Sequence, residues 1–294
     1  MKSIDEISRN LSANIQTRQI TNAMYLLSAS RMRKTIQRVD YNVRYMRRLR
    51  ATMKDVIVHS KDEVHHLYLD GREKPETALF IVISGDKGLC GSYNNNILSF
   101  ADEKIRAYGN NKKLALMGIT GEEYFTNRGI KADFIWRGVV QNPSLYSARV
   151  ICETILNEYN DGNADEVYVI FTSYKTSLAQ NAECMRLLPL SASVLSDVEV
   201  EYEYNFDMEF FPSPSEVIGK VIPQYIIAML FNTFIQSLAS EHASRMNSMQ
   251  TATANADEML KKLQSDYNAQ RQLLITSEIT EISATTQTLG EKSI

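Results

Sequence analysis

The stretch Gln224–Leu289 reads QYIIAMLFNTFIQSLASEHASRMNSMQTATANADEMLKKLQSDYNAQRQLLITSEITEISATTQTL and contains neither glycine nor proline. Alternating steps of three and four residues connect Met246, Met249, Ala256, Leu260, Leu263, Tyr267 and Leu274, with polar Thr253 and Gln270 in the two remaining places. This period is typical of a helix that winds against another helix. At about 1.5 Å per residue the helix would approach roughly 100 Å, so it needs a partner along its length.

Residues 1–70 also lack glycine and proline, and they supply that partner. Their predicted apolar stripe runs through Ile4, Ile7, Leu11, Ile15, Ile20, Met24 and Leu27 and then, after a break in phase, through Met32, Ile36, Val39, Val43, Met46, Leu49, Met53 and Ile57. Phase breaks of this kind rewind a coiled coil locally rather than ending it. We predict an antiparallel two-helix coiled coil built from the two termini. Two separate amphipathic helices packed on the middle of the chain are the alternative.

The middle of the chain contains the glycines and prolines that are typical of the turns of a globular domain. Eleven of the twelve glycines and all six prolines lie between Gly71 and Pro223. Predicted strands alternate with helices: strands at Ala78–Ser84, Leu114–Ile119, Ala132–Arg137, Glu166–Ser173 and, at the edge, Met185–Leu190, and helices at Tyr93–Tyr108, Glu122–Asn127 and Ser144–Tyr159. This alternation predicts an open, largely parallel α/β domain of Rossmann-like layout. The expected division is an N-terminal shaft helix over 1–58, the α/β domain over 75–205 and a C-terminal shaft helix over 215–289.

Charge and composition narrow the class of protein. The formal net charge is −3, yet residues 1–58 carry twelve Lys/Arg against four Asp/Glu, which indicates an acidic partner for this segment. The three cysteines have no regular spacing and favour a reducing compartment. No charge-free run approaches the roughly 20 apolar residues of a membrane span, and no signal peptide is evident. We expect a cytoplasmic location.

The glycine loop after the first predicted strand is the sharpest local motif. It reads GDKGLCG from Gly85 to Gly91, a G-x-x-G-x-x-G spacing that fits neither the dinucleotide fingerprint nor the P-loop. We therefore expect no nucleotide cofactor, and a tight turn that lets the backbone approach another surface. Cys90 lies in this loop, but no histidine falls near it in the sequence to act as a base, so we expect no catalytic residues.

Three histidines at 59, 65 and 66 raise the possibility of a metal site, although a solvated connector is the favoured interpretation and we expect no metal. The nine basic residues of 31–54 surround their helix except on its apolar stripe. That distribution favours a shaft enclosed by a protein partner over a nucleic-acid or membrane binder with one basic stripe.

Four stretches resemble the gamma subunit of F-type rotary ATP synthases: ITNAMYLLSASRMRKT from Ile20, SGDKGLCGSYN from Ser84, LASEHASRMNSMQTATANA from Leu238 and YNAQRQLLITSEITEI from Tyr267. The matches follow the family's order and cover both terminal segments and the middle. The resemblance implies a central-stalk rotor that performs no chemistry itself. Its rotation would couple H⁺ or Na⁺ transport to ATP synthesis or hydrolysis by the complex.

The resemblance also implies partners and contact residues. The partners would be the alpha, beta and epsilon subunits and the membrane ring of c subunits, with no nucleic acid, at the cytoplasmic face of a bacterial cell membrane. The residues expected to contact the alpha/beta hexamer are Met24, Arg31, Arg33, Lys34, Arg271, Gln272, Thr276, Glu278 and Glu281. Gly85, Gly88, Cys90 and Gly91 form the loop of the base domain, and Phe206–Pro214 resembles the part that touches the ring. An enzyme with a Rossmann-like catalytic core is the competing interpretation.

Overall fold

The computed structural model describes residues 3–60, 64–109, 111–190, 195 and 209–290, with side chains up to Ser283. The elements follow in the order α1 (Ile4–His59), α2 (Leu67–Asp70), β1 (Thr77–Ile83), α3 (Tyr93–Ala107), β2 (Asn111–Met117), α4 (Ile119–Thr126), β3 (Phe134–Trp136), α5 (Leu145–Asn160), β4 (Glu166–Tyr174), β5 (Gln180–Leu188) and α6 (Pro214–Gly290). The predicted fold class, a central Rossmann-like α/β domain with long antiparallel helices from the N- and C-termini, is confirmed.

The five strands form one sheet in the order β3-β2-β1-β4-β5. β1 pairs in parallel with β2 and with β4, β2 pairs in parallel with β3, and β5 runs antiparallel to β4 at the edge. The chain therefore turns from one side of β1 to the other after β3, which creates a topological switch point between β1 and β4.

Both faces of β1 are covered, which explains its continuous apolar sequence. Ala78, Phe80 and Val82 belong to a cluster with residues of α3 and α4, whereas Leu79, Ile81 and Ile83 belong to the core shared with α5 and α6. Successive residues of a strand point to opposite faces, so a strand covered on both sides must be apolar at every position. Helix α6 thus packs on the same face of the sheet as α5.

The described chain forms two compact units, and the first comprises Ser28–Arg245. Inside it, the later part of α1 runs antiparallel to the first part of α6. The Asn42 side chain donates to the Ala228 carbonyl at 2.8 Å, and Arg38, four residues earlier, lies over the ring of Phe231, three residues later. The sequence assigned Val43 to the α1 stripe, and this was wrong: Val43 is exposed and Asn42 is buried, because the amide reaches a backbone acceptor of α6.

The second unit comprises Met1–Leu27 and Met246–Ile294. Its helices are also antiparallel: Arg18 forms an ion pair with Asp257, and the Thr253 hydroxyl donates to that of Thr21 at 2.8 Å. The α6 stripe is buried or half-buried at the positions predicted from Met246 to Gln270, whereas residues 271–283, including Leu274, are exposed in the single chain.

The predicted stripe of α1 was wrong in this unit at Ile15, Ile20 and Leu27, which are 39%, 61% and 52% exposed. Thr21 is buried in place of Ile20. The hydroxyl pair with Thr253 explains the difference, because two short polar side chains can meet where an isoleucine would hold the helices apart. Apolar periodicity alone could not detect a contact made by threonines.

Among the described residues, α6 is the one helix that is long and apolar enough to be a candidate membrane span by composition. Its apolar window is 61% buried within the chain, which is the environment of a core helix.

Candidate functional site

The loop between β1 and α3 is held in one conformation by its own side chains. Asn94 accepts a hydrogen bond from the Gly85 amide at 2.8 Å and donates to the Lys87 carbonyl at 3.3 Å. Asp86 accepts from the amide of Ile119 at the start of α4. A side chain at Gly85 would place its Cβ 2.9 Å from Asn94, so the absence of a side chain there is required by this contact.

The loop presents backbone acceptors rather than donors to helix α6. The carbonyls of Lys87, Gly88 and Cys90 receive hydrogen bonds from α6 side chains, while the Gly85 amide is already bonded to Asn94. A phosphate-binding loop needs several free N–H groups that point at the ligand. Toward α6 the loop therefore acts as a hydrogen-bond acceptor, which is the reverse of the polarity by which a phosphate-binding loop holds its ligand.

Helix α6 lies against the crevice at the carboxyl ends of β1 and β4. The Ser240 hydroxyl donates to the Thr172 carbonyl at 3.2 Å, and the Ser237 hydroxyl accepts from the Thr172 amide at 3.4 Å. From the other side, the Tyr93 hydroxyl donates to the Ser237 carbonyl at 3.2 Å. Ligands of open α/β sheets bind at this switch point. Here the chain's own terminal helix lies there.

The next turn of α6 bonds to the glycine loop. The Ser244 hydroxyl donates to the Cys90 carbonyl at 2.7 Å, and the Arg245 guanidinium donates to the Gly88 carbonyl at 3.2 Å. Arg245 also pairs with Glu241 at 2.6 Å, with the two side chains only 11% and 8% exposed. Hydrogen bonds to charged groups contribute about 1.5–3 kcal/mol each, so this contact is a strong attachment of the loop to the helix.

Burial governs the ionisation of the groups around this attachment. Desolvation raises the pKa of Glu241, and the neighbouring Arg245 acts against that rise. The thiol of Cys90 is 1% exposed, and desolvation raises its pKa as well, although Arg245 lowers it. A reactive cysteine needs a stabilised thiolate and access. The structure thus makes Cys90 a buried residue between the loop and α6.

His242 is buried beside the same arginine. Desolvation, with the positive charges of Arg245 and Arg31, lowers its pKa to about 4, so its ring is neutral at pH 7. Its Nδ1 has no hydrogen-bond partner among the described residues.

The histidines at 59, 65 and 66 had raised the question of a metal site. Of these, His66 accepts a hydrogen bond from the Tyr68 amide and caps α2. No candidate metal cluster occurs within the described ranges.

The residues predicted to contact a hexamer fall in three places. Arg31, Arg33 and Lys34 are exposed on α1 within the first unit. Met24 is half-buried on α1 within the second unit. Five exposed residues of α6 complete the set, also within the second unit: Arg271, Gln272, Thr276, Glu278 and Glu281. Their contacts with a partner stay predictions.

The segment Phe206–Pro214 was predicted to touch the ring. Its first three residues lie outside the described part, and Phe211 is 94% exposed.

The sequence did not assign a role to the four α6 residues that bond to the sheet domain, which are Ser237, Ser240, Ser244 and Arg245. It also gave none to Glu241, which pairs with Arg245 within the helix. These residues recur at helical spacing inside an otherwise apolar stretch. This second stripe of small and polar residues was the sequence signal that could have predicted a helix face in contact with backbone groups.

Fold and site together define an α/β protein whose sheet holds its own long C-terminal helix at the place where relatives of this fold hold a ligand. The family model described as ATP synthase matches residues 3–289. The chain belongs to the family of ATP synthase gamma chains.

Individual relatives agree with this assignment. The ATP synthase gamma chain of Caldanaerobacter subterraneus subsp. tengcongensis is 37% identical over an alignment of 289 residues that covers 94% of this chain and 97% of that one. The sodium ion specific gamma chain of Acetobacterium woodii is 30% identical, covering 96% and 97% of the two chains. Among solved structures, the rotor of the Euglena gracilis mitochondrial ATP synthase matches with a TM-score of 0.63 and 15% identity over 92% of this chain and 98% of that one. This structural likeness is one of fold.

Proposed function

We propose that the chain is the central-stalk rotor subunit of an F-type ATP synthase, and that it couples ion translocation to ATP synthesis or hydrolysis by rotating. The observation that carries the proposal is the crevice of the sheet, which receives helix α6 instead of a ligand. A domain built in this way binds and positions a helix of its own chain. The chain is therefore a non-catalytic subunit, and the chemistry belongs to the assembled complex.

The proposed partners are the alpha, beta and epsilon subunits and the ring of c subunits. The exposed cations Arg31, Arg33 and Lys34 support contact with an acidic protein surface, because charge of one sign steers and orients an oppositely charged partner. The polar residues of α6 from Arg271 to Glu281 are exposed together with apolar Leu273, Ile275 and Ile279. Such a mixed surface suits an enclosing protein sleeve.

The proposed location follows from these partners. The family is part of a membrane-associated complex, and the chain would join it peripherally at the cytoplasmic face of a bacterial cell membrane. Attachment to the membrane would then be made through the ring and not by α6, whose apolar window is largely buried within the chain.

Purification of the complex from its own cell tests the assignment of partners. A tag on the endogenous chain is expected to bring down alpha, beta, epsilon and c subunits in fixed proportion from detergent-solubilised membranes. A wash that strips the peripheral part of the complex from the membranes, and leaves the ring behind, is expected to release the chain together with alpha and beta. Recovery of the tagged chain without alpha and beta would overturn the proposal.

A further inference from the structure

We propose that Ser244 and Arg245 form a clamp that sets the rotational angle of helix α6 relative to the sheet domain. Torque then passes between the helix and the sheet domain without rotation of one against the other. This positioning role rests on the proposed rotor function. The clamp consists of the two α6 side chains, the loop carbonyls of Lys87, Gly88 and Cys90, and Glu241, which pairs with Arg245.

The glycine loop has few side chains that could pack against helix α6. Gly85, Gly88 and Gly91 have none, and Leu89 is 65% exposed. The thiol of Cys90 is the one buried apolar group of the segment from Asp86 to Gly91. The attachment therefore depends on hydrogen bonds to backbone carbonyls, which α6 supplies from two consecutive residues.

The backbone of the loop indicates that it is held under constraint. Leu89 has φ of 60°, in the left-handed region that bulky residues rarely adopt. Strained residues persist where their surroundings over-determine them, and they concentrate at functional sites. On both sides of Leu89 the carbonyls of Gly88 and Cys90 are bonded to α6, which is the required restraint.

Directional bonds add a restraint to the apolar packing here. The core residues of α6, such as Ile226, Leu230 and Phe234, hold the helix on the sheet. Apolar attraction is non-directional, whereas a charge-assisted hydrogen bond has a preferred geometry and therefore specifies the angle of a helix about its own axis. Arg245 is also the last residue of α6 in the first unit.

The chain contains a matched control for Arg245. Like Arg245, Arg72 forms an ion pair with a carboxylate and a hydrogen bond to a backbone carbonyl. It pairs with Asp165 and donates to the Tyr159 carbonyl at 2.6 Å. These partners belong to α5 and to the turn before β4, and the glycine loop is not among them. Arg72→Ala removes a similar set of bonds from the sheet domain while the clamp stays intact.

The experiment uses the assembled complex of this chain with its alpha and beta subunits, in which Cys90 is a built-in reporter. Site-resolved alkylation by a maleimide, read by mass spectrometry, measures how often the loop leaves α6, because buried thiols react only after local opening. Arg245→Ala is expected to accelerate Cys90 alkylation by roughly tenfold or more, and Arg72→Ala to leave it at the wild-type rate. Ser244→Ala, which removes one hydroxyl, serves as the milder second variant if Arg245→Ala does not assemble.

A second measurement reports on torque. A probe fixed to a cysteine at exposed Lys131, in the loop before β3, records angular fluctuations of the sheet domain while the hexamer is immobilised. Larger fluctuations are expected in the clamp variants than in wild type and in Arg72→Ala. Unchanged alkylation or unchanged fluctuations in the clamp variants would overturn the clamp. A wild-type probe that shows no ATP-driven rotation would instead overturn the proposed function and leave the alkylation result intact.

Discussion

At the scale of single residues, Arg271 and Glu278 test the contact of α6 with a surrounding hexamer. Both are exposed in the single chain. If they only form a solvated face, each is worth tenths of a kcal/mol. If they bond to a partner, each charged hydrogen bond is worth about 1.5–3 kcal/mol, so Arg271→Ala or Glu278→Ala should slow ATP turnover several-fold without loss of assembly.

The measurement for this prediction is steady-state ATP hydrolysis by purified complexes, normalised to the content of this chain. Lys262→Ala removes an exposed charge from the same helix outside the predicted contact and is the control. Wild-type rates in both test variants would leave only the solvated-face interpretation.

Two glycines are predicted to behave oppositely on substitution. Gly118 has φ of +94°, and a Cβ there would lie 2.3 Å from the Ser84 carbonyl oxygen. Gly88 has nothing within 4 Å of the same position. Gly118→Ala is therefore expected to lower the free energy of unfolding by about 3 kcal/mol or more, and Gly88→Ala by less than about 0.5 kcal/mol. Thermal and denaturant unfolding of the purified chain decide between this outcome and equal effects.

His242 should make stability fall as the pH is lowered. Its pKa is about 4 in the folded chain against 6.5 unfolded, so between these values the unfolded state binds more protons and is favoured. The slope contributed by one such group reaches about 1.4 kcal/mol per pH unit. The raised pKa of Glu241 acts in the opposite direction in wild type and variant alike. His242→Gln is thus expected to flatten the stability profile between pH 6.5 and 4, and an unchanged profile would contradict the assignment.

At the scale of elements, the glycine loop is predicted to bind no nucleotide. Its carbonyls bond to α6 side chains and its Gly85 amide is bonded to Asn94, whereas a phosphate site needs several converging N–H donors. Calorimetry of the full chain with ATP, ADP and NAD is expected to give no binding heat. Micromolar affinity that Gly88→Val abolishes would refute the prediction.

The elements also separate what the sequence could predict from what it could not. β1 and β4 were found from apolar runs, because a strand covered on both faces has a strong local pattern. The α6 stripe from Met246 to Gln270 was found for the same reason. Thr21 and Asn42 were missed because their burial depends on one specific polar partner across the helix pair, Thr253 and the Ala228 carbonyl.

The site was less predictable than the fold. The sequence identified the loop and predicted that its backbone approaches another surface, yet it did not identify that surface as α6. Ser244 lies 154 positions from the Cys90 carbonyl that it bonds. No local pattern connects two such segments, since their contact exists only once the sheet has placed its carboxyl edge beside the helix. The resemblance to a known family supplied the setting, and the structure supplied the attachment.

At the scale of the whole molecule, the central claim is that the chain turns as a rotor inside its complex. The sheet domain holds α6 through buried polar contacts. The exposed residues Arg31, Arg33 and Lys34 of α1, and those of α6 from Arg271 to Glu281, are suited to a partner that encloses them. Family membership and fold agree with this claim, and motion is what remains to be measured.

The direct measurement is the rotation of a probe attached to a cysteine at exposed Lys131 on the sheet domain, in a complex immobilised through its alpha and beta subunits. On addition of ATP we predict continuous rotation of the probe in one direction, which stops when ATP is removed. ATP hydrolysis at the normal rate with a stationary probe would contradict it.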